Sequence, residues 1–237
     1  MDVMKIAAAG MQRDLQKMEG ISQNVANVLT PGYKRQIFTA QAFVQQVDQG
    51  LRLAEAAAGL KSIDASQGTL RQTGNPQDVA IEGDGYLEVA TPDGPRYTRQ
   101  GALRVDNAGR LVGAGNLPVM GLGGEIALAG GAFTIDAQGQ VRQGDRIAGR
   151  LKVVRFADAG QLQPVGGGMY AQGAAGFAAD GLEPRVRAGH QENSNVDSAR
   201  EMVGLAETVR HFEALHRIAQ GYDEVLGNTI RKLGEFN

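Results

Sequence analysis

The sequence predicts an α+β fold in which long N- and C-terminal helices form a coiled-coil-like domain and an antiparallel β-rich body is inserted between them. At both ends of the 237-residue chain, apolar residues recur at heptad spacing, the spacing of helices that pack along one face against a partner. Between the ends, short apolar runs alternate with turn-forming residues, which is typical of antiparallel strands and hairpins. We therefore expect a helical domain from residues 1–35 and 196–237, a connector at 36–61 and a β-rich body at 62–195.

The first helix is predicted by one row of positions spaced alternately by four and three residues. The row stops at Thr30-Pro31-Gly32, where proline removes a backbone donor and glycine permits a left-handed turn. Two glycines, Gly10 and Gly20, each cost about 1 kcal/mol relative to alanine. They are either tolerated or needed for the close approach of another helix. The row consists of Met4, Ala8, Met11, Leu15, Met18, Ser22, Val25 and Leu29.

The second helix carries a longer row of the same kind and a shorter row beside it. Two adjacent rows predict contact with more than one helix. Ser198 with Glu201 fits a capping box, and Asn195 or Asp197 is the alternative cap. His216 and Asp223 interrupt the longer row and are either solvated or fix the register with a neighbour. The longer row is Ser198, Met202, Leu205, Val209, Phe212, His216, Ala219, Asp223, Leu226, Ile230 and Leu233; the shorter is Leu215, Ile218, Tyr222 and Val225.

The predicted β-rich body contains two short segments with the same sequence pattern. The segment from Val105 to Leu111 and the segment from Ile135 to Val141 each place an Asp after the first apolar residue and a Gly three residues later. Asp favours the start of a turn and Gly accepts positive φ, so both segments are predicted hairpin tips. Further strands are predicted at 149–156 and at 185–187.

No constellation of residues predicts catalysis, a cofactor or a metal. The net charge of −2 gives no reason to expect nucleic acid, and cysteine is absent. His211 and His216 lie five residues apart, so they do not share a helical face. The segment at Asp106 lacks the alternating ligands of a calcium loop. We therefore predict that the chain is not an enzyme.

The N-terminal segment does not have the pattern of a cleaved secretory signal. Charged residues such as Lys5, Arg13 and Asp14 interrupt it, and no run approaches the roughly 18 apolar residues of a membrane span. Two localisations fit this pattern: a cytoplasmic protein, or a protein exported without a cleaved signal peptide.

Three blocks of the sequence have a distinctive pattern. In the first, Asn24, Ala26 and Asn27 precede Thr30-Pro31-Gly32-Tyr33-Lys34. The second runs from Asp78 to Tyr86 and continues with Tyr97-Thr98-Arg99-Gln100-Gly101, and the third is Glu192-Asn193-Ser194-Asn195-Val196-Asp197. Together the blocks resemble the bacterial flagellar rod and hook protein family, follow the order of that family and span nearly the whole chain.

The resemblance implies a structural subunit of the flagellar basal-body rod, exported through the flagellar export apparatus without a cleaved signal peptide and assembled into the drive shaft that crosses the periplasm. Its partners would be other rod proteins and copies of itself, with no nucleic acid and no direct membrane span. Within the family we expect the proximal-rod type, with a distal-rod or hook-associated paralogue as the alternative.

The predicted site is accordingly a subunit interface on the apolar rows of the two helices. Burying these side chains against neighbouring helices contributes about 1.5 to 3 kcal/mol each as an upper estimate, which outweighs the glycine penalty. The competing hypothesis is a binding module that forms a closed dimer. The predicted interface residues are Met11, Leu15, Met18 and Val25 from the first helix and Met202, Leu205, Val209, Phe212, Leu226 and Ile230 from the second.

Overall fold

The computed structural model describes residues 3–39, 60–179 and 185–234. Within these residues there are two α-helices, α1 at Val3–Ala26 and α2 at Ser198–Gly234, and short strands lie between them. Residues 40–59, most of the expected connector, lie outside the described residues. No helix in the described part of the chain is both long enough and apolar enough to cross a lipid bilayer.

The strands of the described residues form one five-stranded sheet, one three-stranded sheet and five two-stranded ribbons. The five-stranded sheet has the order β14-β5-β6-β16-β15, and the three-stranded sheet has the order β11-β12-β13. The ribbons pair β1 with β2, β3 with β18, β4 with β17, β7 with β8 and β9 with β10. The strands are β1 Gln36–Thr39, β2 Leu60–Ile63, β3 Leu70–Gln72, β4 Val79–Glu82, β5 Tyr86–Thr91, β6 Gly94–Thr98, β7 Arg104–Val105, β8 Leu111–Val112, β9 Met120–Gly121, β10 Gly124–Glu125, β11 Thr134–Ile135, β12 Gln140–Gln143, β13 Arg146–Arg150, β14 Val153–Val154, β15 Gln163–Gly166, β16 Met169–Ala171, β17 Arg185–Ala188 and β18 His190–Glu192.

The predicted fold class is wrong. The structure is a large β-rich body with one helix at each end of the chain, and the two helices do not form a coiled-coil-like domain. A coiled coil buries its apolar seam against the partner, whereas Leu15 is 53% exposed and Met202 is 52% exposed. The first helix also ends at Ala26, so Leu29 lies beyond it and is 91% exposed.

The described residues fall into two compact units. One unit consists of residues 3–25, 38–39, 60–61 and 197–234, and therefore contains most of α1 and all of α2. The other consists of residues 26–37, 62–179 and 185–196 and contains the body. The segment that follows α1 thus groups with the body.

Both predicted hairpin tips are confirmed. Val105 pairs with Leu111, and Ile135 pairs with Val141. In the first tip, Asp106 Oδ1 accepts hydrogen bonds from the backbone N–H groups of Ala108 and Arg110. Asp136 accepts the equivalent bonds in the second. The segment at Asp106, which shares a fragment of the calcium-loop pattern, is therefore an ordinary turn in which the Asp106 carboxylate binds backbone N–H groups.

Two other local predictions need correction. The single strand predicted at 149–156 is divided, because β13 ends at Arg150 and β14 occupies only Val153–Val154. β17 confirms the strand at 185–187, but β18 follows it before α2 begins. Of the alternative caps of α2, Asp197 is the one used, since its Oδ1 accepts from the backbone N–H groups of Ala199 and Arg200.

The body is held by two clusters of buried side chains. The larger is mainly aliphatic and includes Ile81, Leu87, Leu111 and Val141. The smaller is mainly aromatic, and in it the rings of Tyr86, Tyr97 and Tyr170 are almost fully buried. Edge-to-face contacts, such as that between Tyr86 and Tyr170 with ring centroids 5.9 Å apart, stabilise it beyond simple area burial.

Candidate subunit interface and the buried charge cluster

The two helices pack against each other in opposite directions. Each step toward the C-terminus of α1 is matched by an equal step toward the N-terminus of α2. The contacts therefore share one antiparallel register. A Cβ on Gly10 would lie 2.6 Å from the end of the Leu215 side chain, so Leu215 of α2 packs on the α1 backbone there. The facing positions, α1 first, are Gly10 with Leu215, Asp14 with His211, Ile21 with Gly204, and Asn24 with Glu201.

The residues that face the partner helix, which we call the inner row, are largely polar or small. Asp14 Oδ2 lies 2.7 Å from Nδ1 of His211, and Asn24 Nδ2 donates to Glu201 at 3.1 Å. Thr208 is also buried, and its hydroxyl donates to the carbonyl of Gly204. Apolar periodicity alone cannot find such a row, because it counts Asp, Asn and Glu as surface residues. This is the physical reason why the coiled-coil prediction failed.

The predicted interface residues lie beside the inner row or outside it. Met11, Met18, Val25, Leu205 and Phe212 are half-buried. Leu15, Met202 and Val209 are exposed, Val209 by 37%. Leu226 and Ile230 belong to α2, but their side chains lie outside the described residues.

Exposed apolar residues lie on both sides of α2. Val209 and Ile218 are separated by nine positions, which at about 100° per residue places them on opposite sides of the helix. Ile218 is 53% exposed and Met202, seven residues before Val209, shares the side of Val209. Pairing with α1 therefore leaves two apolar flanks of α2 uncovered.

The three sequence blocks that carried the family resemblance meet at one place in the body. There Lys34, Arg99 and Glu192 form a cluster of buried charges. Lys34 Nζ lies 2.6 Å from Glu192 Oε1, and both side chains are 0% exposed. Arg99 approaches the other oxygen of the same carboxylate at 3.0 Å. Because a buried charge without a partner is strongly destabilising, each member of this buried charge cluster depends on the others.

Backbone groups complete the buried charge cluster. Glu192 Oε1 also accepts from the N–H of Gly68, and Lys34 Nζ donates to the carbonyl of Ser66 at 2.6 Å. Arg99 donates to the carbonyl of Gly83 at 2.7 Å and lies over the ring of Tyr86, 5.1 Å from its centroid. These directional bonds compensate for much of the desolvation of the three charges.

Burial also shifts the ionisation of groups around the cluster. Loss of solvation lowers the pKa of Lys34, against the opposing attraction of Glu192. Burial raises the pKa of Tyr86 to about 12. It raises the pKa of Tyr170 as well, whose hydroxyl accepts from the backbone N–H of Lys34 at 2.7 Å. The surroundings of the cluster are therefore shielded from water.

Two segments run side by side at this cluster, residues 32–35 after α1 and residues 192–195 before α2. The N–H of Gly32 donates to the carbonyl of Glu192 at 2.7 Å, and the N–H of Asn195 donates to the carbonyl of Tyr33 at 3.4 Å. The N–H of Arg35 donates to the Asn195 side chain at 2.7 Å. Gly32 has φ of +67°, and a Cβ there would lie 2.5 Å from the backbone of Arg99, so only glycine fits.

The remaining residues of the first family block have local roles. Asn24 is buried and bonded to Glu201, whereas Ala26 is exposed. Asn27 accepts a hydrogen bond from the hydroxyl of Thr30, which closes the turn that ends the helix. Pro31 follows in the same turn, and Tyr33 is buried.

Sequence reasoning named Lys34 but missed its partners. Arg99 and Glu192 are far apart in sequence, and neither belongs to an apolar pattern. The signal that could have pointed to Arg99 and Glu192 was their place in the second and third sequence blocks that resemble the family. His216, for which solvation and a register role were the two alternatives, is exposed and lies 3.1 Å from the side chain of Gln220 on its own helix.

Exposed apolar flanks on helices are typical of proteins that work through contacts with other proteins. Residues 80–143 match the flagellar hook protein FlgE/F/G D1 domain, and residues 187–232 match the flagellar basal body rod FlgEFG protein C-terminal domain. The chain belongs to this family of flagellar rod and hook proteins. Its family is structural, which confirms the prediction that the chain is not an enzyme.

Curated relatives match over nearly their whole length. The chain is 30% identical to the flagellar basal-body rod protein FlgG of Bacillus subtilis, over 94% of this chain and 95% of the relative. It is 32% identical to the flagellar basal-body rod protein FlgF of Escherichia coli, over 96% of both chains. The FlgF of Salmonella typhimurium is also 32% identical, over 96% of both. The resemblance to the family is confirmed, and the chain is similar to FlgF and to FlgG to almost the same degree.

Proposed function

We propose that this chain is a structural subunit of the flagellar basal-body rod, and that it assembles by docking the exposed flanks of its terminal helices onto neighbouring subunits. Family membership supports the rod. The observation that carries the docking surface is the exposure of Leu15, Met202, Val209 and Ile218 on helices that already pair with each other. Neighbouring subunits would supply what covers them.

The energetics favour this arrangement. Burying one such side chain contributes about 1.5 to 3 kcal/mol as an upper estimate. The free energy gained by burying a few of them therefore outweighs the entropy lost when the contacting side chains become ordered. Apolar flanks on opposite sides of α2 suit a subunit with a neighbour on either side. Contacts between different faces of identical or related subunits do not close on themselves, and so they build a filament.

The roles of the regions follow from this proposal. The terminal regions 1–35 and 196–237 would form the axial part of the assembled rod, residues 36–61 would connect them to the body, and residues 62–195 would form its outer part. Half-buried Met11, Met18, Val25, Leu205 and Phe212 would border the contacts, and Leu226 and Ile230 would extend them toward the end of α2.

The partners and route are part of the same proposal. Other rod proteins and copies of this chain are the partners that fit a propagating interface. Membership in a family of flagellar axial proteins supports passage through the flagellar export apparatus without a cleaved signal peptide, and a final place in the periplasm-spanning rod. The proximal position remains our preferred assignment, with the distal rod as the alternative.

The substitution Leu15→Asp tests the docking surface. We expect the full-length variant to fold but to be missing from purified basal bodies, because a carboxylate cannot be buried against an apolar neighbour. Gln12→Asp is the matched control, since it adds the same charge to an exposed polar position of the same helix. Circular dichroism checks folding, and immunoblotting of basal bodies checks incorporation.

Normal incorporation of Leu15→Asp would overturn the proposed surface. Sedimentation of the purified chain tests the competing binding module. A stable, discrete dimer that does not associate with other rod proteins would contradict a propagating subunit, whereas a monomer that binds other rod proteins supports it.

A further inference from the structure

We propose that residues 32–35 and 192–195, held together by the buried charge cluster, form a force-resisting joint within the body, on the two segments through which the chain continues to the terminal helices. This inference rests on the proposed function, in which the chain is a structural subunit of the flagellar rod. No site for a ligand is involved. The joint is a mechanical feature of the fold. Under tension applied through the helices, it would keep residues 32–35 and residues 192–195 together.

The two segments run in the same direction, and this determines how they respond to tension. Gly32 bonds Glu192 and Tyr33 bonds Asn195, so the pairing advances along both segments together and they run parallel. The first segment is entered from α1 at its start, and the second leaves for α2 at its end. Tension between the two helices therefore pulls the segments past each other in opposite directions.

Sliding in this direction strains many bonds at once. Four bonds join the two segments directly: the two backbone bonds, the bond from the Arg35 N–H to Asn195, and the ion pair between Lys34 and Glu192. They lie side by side, so all must break together rather than one after another. Antiparallel segments pulled at one end would instead open bond by bond.

Arg99 and the surrounding backbone anchor the joint to the body. Arg99 binds Glu192 and also the carbonyls of Gly83 and Ile81, which places it between the second segment and strand β4. Asn195 donates to the carbonyls of Asp64 and Ser66. Force arriving on residue 192 or 195 is therefore passed to strand β4 with the turn that follows it, and to the segment after β2.

The choice of charged residues supports this role. Buried ion pairs are weak evidence for thermodynamic stability, because apolar residues of similar size often do as well. Apolar contact is non-directional, however, and resists sliding less than short hydrogen-bonded ion pairs do. A cluster of three buried charges is thus better suited to holding a position under force than to raising the free energy of unfolding.

The test is single-molecule pulling on the full-length purified chain. The chain contains no cysteine, so handles can be attached specifically at Ser22→Cys and Ser198→Cys, both on exposed helical positions. We expect a high-force peak for this pair of handles. Handles at Asp93→Cys and Asp145→Cys, on turns within the body, do not pull the two segments past each other and should show a lower force.

A triple variant, Lys34→Met, Arg99→Met and Glu192→Leu, separates mechanics from stability. We expect its thermal unfolding temperature to stay close to that of the parent while the high-force peak is lost. Glu88→Gln is the matched control, since it removes a half-buried pair with Lys152 at 2.8 Å elsewhere in the body and should leave the peak unchanged.

Two results would overturn the joint. One is equal rupture force for the two handle pairs when the charge cluster is intact, a measurement that does not depend on the triple variant. The other is a triple variant that folds and keeps the peak. Because pulling uses the isolated chain, failure of the joint is distinct from failure of the rod assignment, which the incorporation of Leu15→Asp decides.

Discussion

The body and the helix pair treat polar and apolar residues in opposite ways. In the body, three charges are buried and paired with one another around Glu192, and the large apolar side chains form two clusters. In the helix pair, polar groups occupy the inner row and apolar side chains such as Leu15 and Met202 face outward. The body buries its large apolar side chains and pairs its buried charges within itself, whereas the helix pair leaves large apolar side chains exposed.

This difference indicates that the body contributes more to the free energy of unfolding than the helix pair does. A helix pair joined through Asp14, Asn24 and glycine backbones gains little from apolar burial, so helix packing contributes less here than in a coiled coil. The body gains from apolar burial, and it depends on keeping its buried charges paired, because removal of one partner leaves the others uncompensated. Changes of the same chemical kind should therefore have unequal effects in the two regions.

The largest expected contrast is between Glu192→Gln and Asp14→Asn. The first leaves two buried cations without a carboxylate and should lower the free energy of unfolding by about 3 to 5 kcal/mol. The second weakens a pair whose His211 side chain is 63% exposed, and should cost less than about 1 kcal/mol. Urea unfolding followed by tyrosine fluorescence, which reports mainly on the body, measures the first, and circular dichroism measures the second. Similar losses in both would show that the two regions do not differ as described.

Alkaline pH should destabilise the body next most strongly. The pKa of Tyr86 is raised from 10.0 to about 12 by burial, so the unfolded chain ionises first and the free energy of unfolding falls as pH rises from 10 to 12. The expected loss is about 2 to 3 kcal/mol from this residue. The lowered pKa of Lys34 has the opposite sign, raising stability with pH until its unfolded value of 10.5.

The substitution Tyr86→Phe isolates the tyrosine contribution. Its unfolding free energy, measured by urea titration at several pH values, should fall less steeply than that of the parent above pH 10. An identical slope in the two proteins would mean that Tyr86 ionises as easily when folded as when unfolded.

Two hydroxyls of the aromatic cluster should differ at neutral pH. Tyr170→Phe removes the acceptor of the Lys34 N–H at 2.7 Å, which leaves a buried donor unsatisfied and should cost about 1 to 3 kcal/mol. The Tyr86 hydroxyl is buried with no hydrogen-bond partner in the described part of the chain, so Tyr86→Phe should be neutral or stabilising. Equal losses measured by urea unfolding would contradict this contrast.

The sequence predicts much of this fold where apolar pattern and turn chemistry decide. Both hairpin tips followed from an Asp and a Gly at fixed spacing, and both helices occur at the predicted ends of the chain. Their boundaries were less accurate, because Asn27 and Thr30 close a turn that ends α1 before Leu29.

The face of each helix could not be predicted from the same pattern. The inner row depends on pairs between residues almost two hundred positions apart, such as Asp14 with His211. Lys34, Arg99 and Glu192 likewise come together only after the body folds. Local periodicity contains no information on such pairs, whereas the family blocks marked the residues without giving their roles.

The smallest expected effect distinguishes the two glycines of α1. A Cβ on Gly20 would lie 1.6 Å from the ring of Phe38, so the ring must move, and Gly20→Ala should lose about 1 kcal/mol net after the gain in helix propensity. A Cβ on Gly10 would lie 2.6 Å from the end of the flexible Leu215 side chain. That side chain can rotate away, so Gly10→Ala should be neutral or gain up to about 1 kcal/mol.

Thermal unfolding followed by circular dichroism at a helical wavelength measures both variants, and their ranking is the decisive result. Gly20→Ala with the higher unfolding temperature would show that Phe38 does not pack closely on α1. Loss of helix in Gly10→Ala would show that the approach of Leu215 is rigid, and that the helix pair is held more firmly than its polar inner row implies.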